Sequence, residues 1–265
     1  KMKILAHDEP GIKATVKSKL FLGIYVIYVC KRENADDILI QVKSASINPV
    51  DWKIREGYLK DFIPYALPVT LGWDVAGIVA EVGESVTGFK VGDEVFSRPD
   101  ISRDGSYADF IAVKADEVLL KSTKLDFAQA AALPLAGITA WQCLVDVGQL
   151  QAGQRVLIHA GAGGVGHLAI QIAKAKGATV IATASAANQA LLTELGADQA
   201  VDYTKGPLSE QIEAVDLVLD TMGGAVQDES WALINKGGML VSITQPPSEE
   251  VAKEHGVTGA FVFIE

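Results

Sequence analysis

Hydrophobic and polar positions follow two different patterns along the chain. In the first part, Ile38, Ile40 and Val42 occupy every second position, residues 75–82 form a β-branched run, and glycines separate such stretches as far as about residue 120. Alternation with a period of two predicts half-buried strands, and the glycines favour the turns and bulges of a compact β-barrel. The first part is therefore predicted to be mostly β.

After about residue 125 the pattern changes to Ala-rich helical stretches that alternate with apolar strands. Strands are predicted at 155–160, 179–183, 199–201, 217–220, 239–243 and 260–264, and helices at 165–176, 188–195 and 225–235, with an exposed turn at Pro246, Pro247 and Ser248. This alternation predicts parallel βαβ units in a six-stranded, doubly wound sheet. The predicted fold class is α/β plus β, with domains at 1–125 and 126–265.

The longest apolar run, LFLGIYVIYVC at 20–30, does not fit a membrane segment. A bilayer-spanning helix needs about 20 apolar residues. The run starts late for a signal peptide, and Lys31 and Arg32 follow it where a cleavage site would contain small residues. We interpret it as a buried strand and expect no membrane span.

Composition and charge exclude several classes of function. The 265 residues are 49% hydrophobic and 21% charged, which is typical of a folded globular chain. A formal net charge of −10 argues against a nucleic-acid surface or an anionic-membrane patch. The only cysteines, Cys30 and Cys143, have no metal-like spacing with the histidines, so we expect no metal site and a reducing, cytoplasmic setting.

The sharpest motif is GAGGVG at 161–166, in a strand–turn–helix–strand context over 155–183. In a dinucleotide-binding turn, Gly161 permits the tight turn, Gly163 lets the backbone approach a pyrophosphate, and Gly166 allows close helix packing. Gly164 and Val165 lie between them, where the helix N-terminus presents free N–H groups to phosphate. The alternative is that the glycines serve packing alone.

The end of the second strand of this unit indicates which dinucleotide is bound. NAD sites usually place a carboxylate there, whereas this chain has Ala184 and Ser185 and no acid. Ser185 and Asn188 can donate hydrogen bonds to a 2′-phosphate, so NADP(H) is favoured, although no Arg or Lys lies in the turn. The alternative is that both side chains only cap the next helix.

Together with NPVDWKIR at 48–55, these features resemble the zinc-free quinone oxidoreductases of the medium-chain dehydrogenase/reductase superfamily. The resemblance extends through LPVTLGWDVAGIVAEVG (67–83), VGDEVF (91–96), GSYADF (105–110), AALPLAGITAW (131–141) and ALLTELGAD (190–198). It implies a GroES-like β-barrel catalytic domain and a Rossmann domain, substrate bound between them, and a homodimer. Family chains return to the catalytic domain after the sixth Rossmann strand, whereas this sequence ends at Glu265.

The resemblance also bears on metal and mechanism. Zinc alcohol dehydrogenases of the superfamily carry Cys where Asn48 stands and a His–Glu pair where Trp73 and Asp74 stand, so we expect no zinc. Without a metal, reduction is easiest when the substrate itself accepts the electrons, as a quinone or an activated carbon–carbon double bond does. NADPH would then deliver hydride to the β-carbon of an enone or to a quinone.

The same resemblance assigns candidate catalytic residues to the 48–55 stretch, which forms the wall facing the nicotinamide in the family. Asn48 is the first candidate for orienting substrate or ring, and Asp51 for orienting that wall through backbone hydrogen bonds. Tyr58, taken as the only phenol nearby, is a candidate proton donor, and Lys53 a weaker cationic one. The alternatives are local turn chemistry for Asn48, an aromatic rim for Tyr58 and a solvated surface position for Lys53.

Three further residues match cofactor-contacting positions or strand ends. Thr139 matches a family position near the nicotinamide-side phosphate, Tyr203 one beside the adenosine phosphate, and Gly223 follows a strand end where doubly wound sheets bind ligands. Thr139 has a self-bonded helix position as its alternative, and Tyr203 a core cap. We interpret His159 and His167 as structural histidines, and reject Asp216 and Asp220 as an acid–base pair because strand spacing separates them.

The sequence thus predicts an NADPH-dependent reductase of quinones or α,β-unsaturated carbonyl compounds, with a small-molecule substrate and no nucleic-acid partner. Two alternatives stay open: an enoyl-thioester reductase, which would need a basic patch for its phosphorylated carrier, and a non-catalytic NADPH-binding protein. Dependence of NADPH oxidation on an electrophilic acceptor separates them, as does the effect of Asn48→Ala on turnover and binding.

Overall fold

The protein structure, a computed structural model, describes residues 21–22, 25–26, 35–63, 65 and 67–263. Two compact units divide it, the first ending at Leu135 and the second beginning at Ala136. This division falls later along the chain than the predicted start of a second domain at residue 126. Among the helices of the described ranges, none combines the length and hydropathy that crossing a bilayer requires.

Two short strands occupy part of the apolar run at 20–30. β1 (Phe21–Leu22) pairs antiparallel with β2 (Tyr25–Val26). The chain therefore reverses direction here, and the single strand predicted for 20–30 is wrong in that respect. Cys30 and the other residues of this run lie outside the described residues, as does the predicted burial of its side chains.

The first unit contains a five-stranded antiparallel sheet in the order β6–β3–β4–β5–β7. Its strands are β3 (Asp37–Ser44), β4 (Val75–Val82), β5 (Glu94–Ser97), β6 (Phe110–Lys114) and β7 (Val118–Leu120). Alternation decides which face is buried, because Ile38 and Ile40 on β3 meet Val75 and Val79 on β4 in one apolar cluster.

Three helices accompany this unit: α1 (Pro49–Arg55), α2 (Phe127–Ala131) and α3 (Pro134–Trp141), the last running on into the second unit. α1 stands where the sequence pattern indicated only extended or turn backbone around Asn48 and Pro49. Pro at the first helical position is preorganised for a helix, and an Asn before it is a favoured N-cap. Two strong start signals therefore outweigh the β pattern around them.

The second unit is a six-stranded parallel sheet in the order β10–β9–β8–β11–β12–β13. Its strands are β8 (Arg155–Ile158), β9 (Thr179–Ala184), β10 (Gln199–Asp202), β11 (Val215–Asp220), β12 (Ile234–Ser242) and β13 (Thr258–Phe261), and its helices α4 (Gly166–Ala175), α5 (Gln189–Glu194), α6 (Gly224–Ser230) and α7 (Glu249–His255). Val156 and Ile158 enter one buried cluster and Leu157 another, so both faces of the sheet are covered. The predicted fold class is confirmed.

Two details of the second unit differ from the prediction. α6 ends at Ser230 and β12 begins at Ile234, so the helix predicted for 225–235 is wrong at its end, where Ile234 pairs with Val215. α7 was not predicted. Its N-cap is Ser248, whose side chain accepts a hydrogen bond from Val251 N (3.4 Å), and Gly256 ends it with a left-handed φ of 68°.

Candidate functional site

The start of helix α1 determines where the Asn48 side chain lies. Asn48 has extended backbone (φ −119°, ψ 155°), and its N–H donates to Oδ2 of Asp51 at 2.6 Å. This is the carboxylate half of a capping box. The Asn48 side chain makes no capping bond and is available for other partners.

A buried carboxylate, Asp74, receives the Asn48 amide. Asn48 Nδ2 donates to Asp74 Oδ2 at 2.8 Å and lies 2.9 Å from Ser46 Oγ, which itself donates a short hydrogen bond to the same Oδ2. The other carboxylate oxygen of Asp74 accepts from Leu135 N at 2.7 Å. Asp74 has no solvent exposure, and Asn48 is 9% exposed. Groups from three separate stretches of the first unit thus meet at one amide–carboxylate cluster.

Two paired loops hold Asp74 in place. Ser106 N donates to Gly72 O at 2.7 Å, Tyr107 N to Leu71 O at 2.9 Å, and Ser106 Oγ to the backbone oxygen of Asp74 at 2.7 Å. Gly72 has a φ of 100°, and a Cβ there would lie 2.5 Å from the Tyr107 ring. Glycine at position 72 therefore permits both the backbone conformation and the close approach of the second loop.

Asp51 connects this cluster to a second tyrosine. Tyr107 Oη donates to Asp51 Oδ2 at 2.8 Å and lies 3.1 Å from Ser46 O. The expectation that Tyr58 is the only phenol near Asn48 is wrong, because the GSYADF loop returns to the start of α1. Asp51 is 4% exposed, and its Oδ1 is buried without a hydrogen-bond partner among the described residues. The geometry favours an orienting role for Asp51, since its carboxylate holds the Asn48 backbone.

The side chains of Tyr58 and Lys53 form no hydrogen bond with the described residues of the cluster. Tyr58 is 65% exposed and packs edge-on against Trp52, with ring centroids 5.7 Å apart. Lys53 is half-buried and forms no ion pair with the described residues. Their catalytic roles stay predictions.

The surroundings of the cluster raise the pKa values of Asp74 and Tyr107. Burial raises the pKa of Asp74 to about 6, against the opposing effect of the hydrogen bonds from Ser46, Asn48 and Leu135. Burial and the hydrogen bond to Asp51 raise the pKa of Tyr107, so its phenol stays protonated near neutrality. Asp74 therefore titrates closer to neutrality than an ordinary carboxyl group does.

The side chains of Asn48, Trp73 and Asp74 do not fit a zinc ion. Among the described residues, no group of three or more His, Cys, Asp or Glu side chains is arranged to hold a metal. The amide nitrogen of Asn48 faces Asp74, and the Trp73 side chain is fully buried. An amide and an indole are not the thiolate and imidazole ligands that zinc prefers.

The glycine-rich turn of the second unit follows β8 and opens α4. Ala162, Gly164 and Val165 donate no backbone hydrogen bond to the described residues, so their N–H groups are available at the N-terminus of the ten-residue helix. Gly163 N and His167 N are engaged, by Ala160 O at 2.8 Å and Gly163 O at 3.1 Å. Free N–H groups and the helix dipole together favour a phosphate at this position.

The glycines of this turn have different tasks. A Cβ at Gly166 would lie 2.3 Å from Ala160 O, which agrees with its predicted role in close packing, whereas a Cβ at Gly164 would meet nothing within 4 Å. Gly161 does not have the left-handed backbone expected of the residue that makes the tight turn; Ala160 does, with a φ of 46°. Gly161 is required instead because its Cβ would lie 2.8 Å from the Leu192 side chain. Gly163 and Gly164 are both exposed, as a ligand-facing backbone must be.

The ends of β9 and β10 bring the predicted 2′-phosphate residues to one edge of the sheet. These parallel strands are neighbours, with Ala184 opposite Asp202, so Ser185 and Tyr203 both follow at the carboxyl end. Neither Ser185 nor Asn188 makes a side-chain capping bond, so the capping alternative is wrong. Tyr203 is 58% exposed and is not a core cap. All three side chains are available to a ligand.

A second buried carboxylate organises the loop after β11. Asp220 Oδ1 accepts from Met222 N at 2.9 Å and Gly223 N at 2.8 Å, and its Oδ2 from Gln227 Nε2 at 2.9 Å and Ser242 Oγ at 2.8 Å. The N–H of Gly223 is therefore engaged within the loop, and the cofactor contact of Gly223 stays a prediction. Asp216 accepts from Arg155 N, which supports its separation from Asp220.

The histidines are structural, as interpreted from the sequence. His159 is 1% exposed, its Nε2 lies 2.8 Å from Ser230 Oγ, and burial lowers its pKa to about 4. His167 Nδ1 lies 2.9 Å from Gly163 O on its own helix turn. Thr139 is 2% exposed within α3, and its cofactor contact stays a prediction.

Sequence reasoning missed Ser46, Ser106 and Tyr107, and considered Asp74 only as half of an absent metal-ligand pair. Hydrogen-bonding partners separated by 26 to 61 positions produce no local spacing pattern. The available signal was the GSYADF motif itself, a polar, glycine-led loop between apolar strands.

Comparisons with known proteins agree with this two-part organisation. Residues 34–123 match the alcohol dehydrogenase GroES-like domain family, and residues 164–260 match the zinc-binding dehydrogenase family. The solved quinone oxidoreductase of Coxiella burnetii superposes with a TM-score of 0.78 at 37% identity, covering 91% of this chain and 78% of that one.

Curated relatives are similar in sequence over both units. The chain is 32% identical over 224 residues to the chloroplastic quinone-oxidoreductase homolog of Spinacia oleracea, covering 81% of this chain and 68% of that protein. It is 42% identical over 217 residues to the chloroplastic NADPH-dependent alkenal/one oxidoreductase of Arabidopsis thaliana, covering 79% of this chain and 55% of that protein. The chain spans about half the length of several curated relatives that it matches. A GroES-like unit followed by a dinucleotide-binding turn, with similarity to quinone oxidoreductases across both, shows that the chain belongs to the quinone oxidoreductases of the medium-chain dehydrogenase/reductase superfamily.

Proposed function

We propose that the protein is an NADPH-dependent oxidoreductase that transfers hydride to quinones or α,β-unsaturated carbonyl compounds without zinc. The observation that carries the proposal is the β8–α4 turn, where Ala162, Gly164 and Val165 present free N–H groups beside an open position at Gly164. The names of the spinach and Arabidopsis relatives supply the substrate classes.

The β9 and β10 strand ends support NADPH over NADH. They carry Ser185, Asn188 and Tyr203 with uncapped or exposed side chains, and no carboxylate follows β9 to repel a 2′-phosphate. The exposed Lys205, two residues after Tyr203, supplies a cation that the turn after β9 lacks. The printed name of the Arabidopsis relative is also NADPH-dependent.

The chemistry divides between cofactor and protein. Bound NADPH would supply a hydride from C4 of its nicotinamide ring to the β-carbon of an enone, leaving NADP⁺ and an enolate that takes up one proton. The Asn48 amide would orient the nicotinamide ring through its carbonyl oxygen, because both hydrogens of Nδ2 already go to Ser46 Oγ and Asp74 Oδ2. The proton would come from solvent or Tyr58, since the Tyr107 hydroxyl already donates to Asp51.

A steady-state assay tests the proposal. NADPH oxidation at 340 nm is followed with a benzoquinone, a naphthoquinone, an alkenal and a simple ketone, with NADH in parallel. We expect turnover with the quinones or the alkenal and with NADPH, and none with the ketone. NADPH binding without oxidation by any acceptor would contradict the proposal and favour a non-catalytic NADPH-binding protein.

A charge substitution tests the cofactor assignment. Ser185→Asp places a carboxylate beside the 2′-phosphate, and we expect KM for NADPH to rise about tenfold or more while KM for NADH stays near the wild-type value. Asp228→Asn, an exposed charge change on helix α6, is the control. Equal effects of Ser185→Asp on both cofactors would place the 2′-phosphate elsewhere.

Three further parts of the proposal have tests of their own. Zinc independence rests on the Asn48–Asp74 donor set and is tested by metal analysis and by chelator treatment, where a stoichiometric zinc needed for turnover contradicts it. A homodimer rests on the apolar composition and is tested by light scattering. A cytoplasmic location rests on the low cysteine count and is tested by imaging a tagged chain, since several relatives are named chloroplastic or mitochondrial.

A further inference from the structure

The proposed mechanism gives no role to the buried carboxylate of the amide–carboxylate pair in the first unit. Asp74 is fully buried, yet its carboxylate accepts from the Asn48 amide, the Ser46 hydroxyl and the Leu135 N–H. A buried carboxylate costs several kcal/mol unless it is fully hydrogen-bonded. A site that needed only packing would be served by an apolar side chain here.

The hydrogen bonds define which way the Asn48 amide faces. An amide side chain has one end that donates and one that accepts, and rotation by 180° exchanges them. A carboxylate accepts only, so Asp74 Oδ2 at 2.8 Å holds the nitrogen end. Both hydrogens of Nδ2 are engaged, by Ser46 Oγ at 2.9 Å and Asp74 Oδ2, so the carbonyl end is the end of the Asn48 amide that neither of these two groups holds.

We propose that Asp74 is the positioning residue of the site: it fixes the Asn48 amide in the single orientation that the reaction uses, and loses that control when it is protonated. The expected effect on kcat rests on the proposed function, whereas the expected effect on the orientation of the Asn48 amide does not. Asp74 itself does not touch substrate or cofactor in this role.

Protonation of Asp74 changes the geometry in a defined way. Both carboxylate oxygens face donors, so an added proton meets either Leu135 N or the Asn48–Ser46 pair and displaces one hydrogen bond. The other groups that act on this carboxyl electrostatically are Asp51 on α1, Tyr107 from the loop before β6, and Arg98 directly after β5. Asp51 raises the pKa of Asp74, and burial raises it most, to about 6.

A spectroscopic measurement follows the Asn48–Asp74 hydrogen bond without turnover. The side-chain amide signals of Asn48 in ¹⁵N-labelled full chain are assigned by their loss in Asn48→Ala. We expect them to shift with a midpoint near pH 6 in the wild type, and to be displaced and pH-independent in this range in Asp74→Asn. Signals that do not titrate, or that are unchanged in Asp74→Asn, would overturn the proposal. If Asp74→Asn does not fold, the wild-type titration alone tests the proposal.

A double-mutant cycle tests the kinetic consequence. We expect Asp74→Asn to lower kcat about tenfold in the wild-type background and to have little further effect in Asn48→Ala. Ser97→Ala, which removes a buried hydroxyl hydrogen bond to the Glu117 backbone in the same unit, is the matched control and should retain wild-type kcat. Equal losses in both backgrounds would mean that Asp74 acts by stability alone. A wild type inert with every acceptor counts against the proposed function, while the amide titration still decides the positioning role.

Discussion

At the residue scale, burial shifts the pKa values of Asp74 and His159 in opposite directions. Asp74 and His159 are each almost fully buried, and burial disfavours the charged form of both. The charged form of an acid is the deprotonated one, so the pKa of Asp74 rises to about 6, whereas the pKa of His159 falls to about 4. Asp74 thus favours folding at low pH, and His159 favours folding at high pH.

We expect His159 to make the protein acid-sensitive. Its pKa lies below that of an unfolded histidine, so its contribution to stability is present above about pH 6.5 and is lost as the pH falls towards 4. His159→Gln should therefore reduce the loss of unfolding free energy between pH 7 and pH 5 by about 2 kcal/mol. Urea denaturation at the two pH values measures this.

Asp74 also titrates in this range, so the informative quantity is the difference between wild type and variant. His167→Gln is the control, because that imidazole is only half-buried on α4. Equal acid sensitivity in wild type and His159→Gln would show that Ser230 and its surroundings tolerate the charged ring.

The sequence identified individual site residues to a useful extent. Asn48, Asp51 and the GAGGVG glycines lie in local motifs, so their chemistry could be inferred from neighbours in the chain. Asp74 and Tyr107 act through partners 26 and 56 positions away, and no local pattern records such pairs. Ser185 and Asn188 show the reverse, since the structure removes their capping alternative.

At the element scale, the β8–α4 turn separates positions needed for folding from positions free for a ligand. Gly166 sits against the Ala160 backbone, and Gly161 sits against side chains of β9, α4 and α5. Gly164 has open space on its Cβ side and is exposed. A motif that looks uniform in sequence therefore has two physical functions.

Two alanine substitutions are expected to separate these functions. Gly166→Ala must move backbone, because its Cβ would lie 2.3 Å from Ala160 O, and it should destabilise the chain by about 2 kcal/mol or more. Gly164→Ala should leave the unfolding temperature unchanged and weaken NADPH about tenfold, because its Cβ would occupy ligand space. Thermal unfolding and calorimetric titration measure the two effects. Wild-type affinity in Gly164→Ala would move the phosphate away from this backbone.

Element boundaries were predicted well where periodicity was long and poorly where it was short. α4 and β9 agree with their predicted spans to within a residue or two at each end. The helix predicted to Asn235 fails because Ile234 has a parallel neighbour in β11, a contact that the local sequence does not contain. α1 and α7 are seven-residue helices, too short for periodicity to predict them.

At the scale of the whole molecule, each unit has its own apolar cores, and the candidate ligand contacts divide between the units. The amide–carboxylate cluster lies in the first unit, and the phosphate-binding turn lies in the second. Ligand binding and chemistry can therefore be measured separately.

We expect NADPH alone to protect the second unit. Saturating cofactor should slow hydrogen exchange at 161–166 and at the carboxyl ends of β9 and β10, and at 100 times Kd it should stabilise the folded state by about 2.7 kcal/mol. Exchange mass spectrometry maps the protection, with NADH and Ser185→Asp as controls. Equal protection by NADH, or none at residues 161–166, would contradict the assignment of this turn.

The sequence by itself determined the two kinds of unit, the parallel sheet, the dinucleotide-binding turn and the stretch that carries Asn48. These follow from periodicity and from residues adjacent in the chain, whose effects are local. The tertiary structure decided which groups surround Asn48, which glycine needs its missing side chain for packing, and how burial shifts the pKa of Asp74 and His159. The physical reason is that hydrogen-bond partners and desolvation depend on which distant segments meet, and that is settled only when the strands and loops pack together.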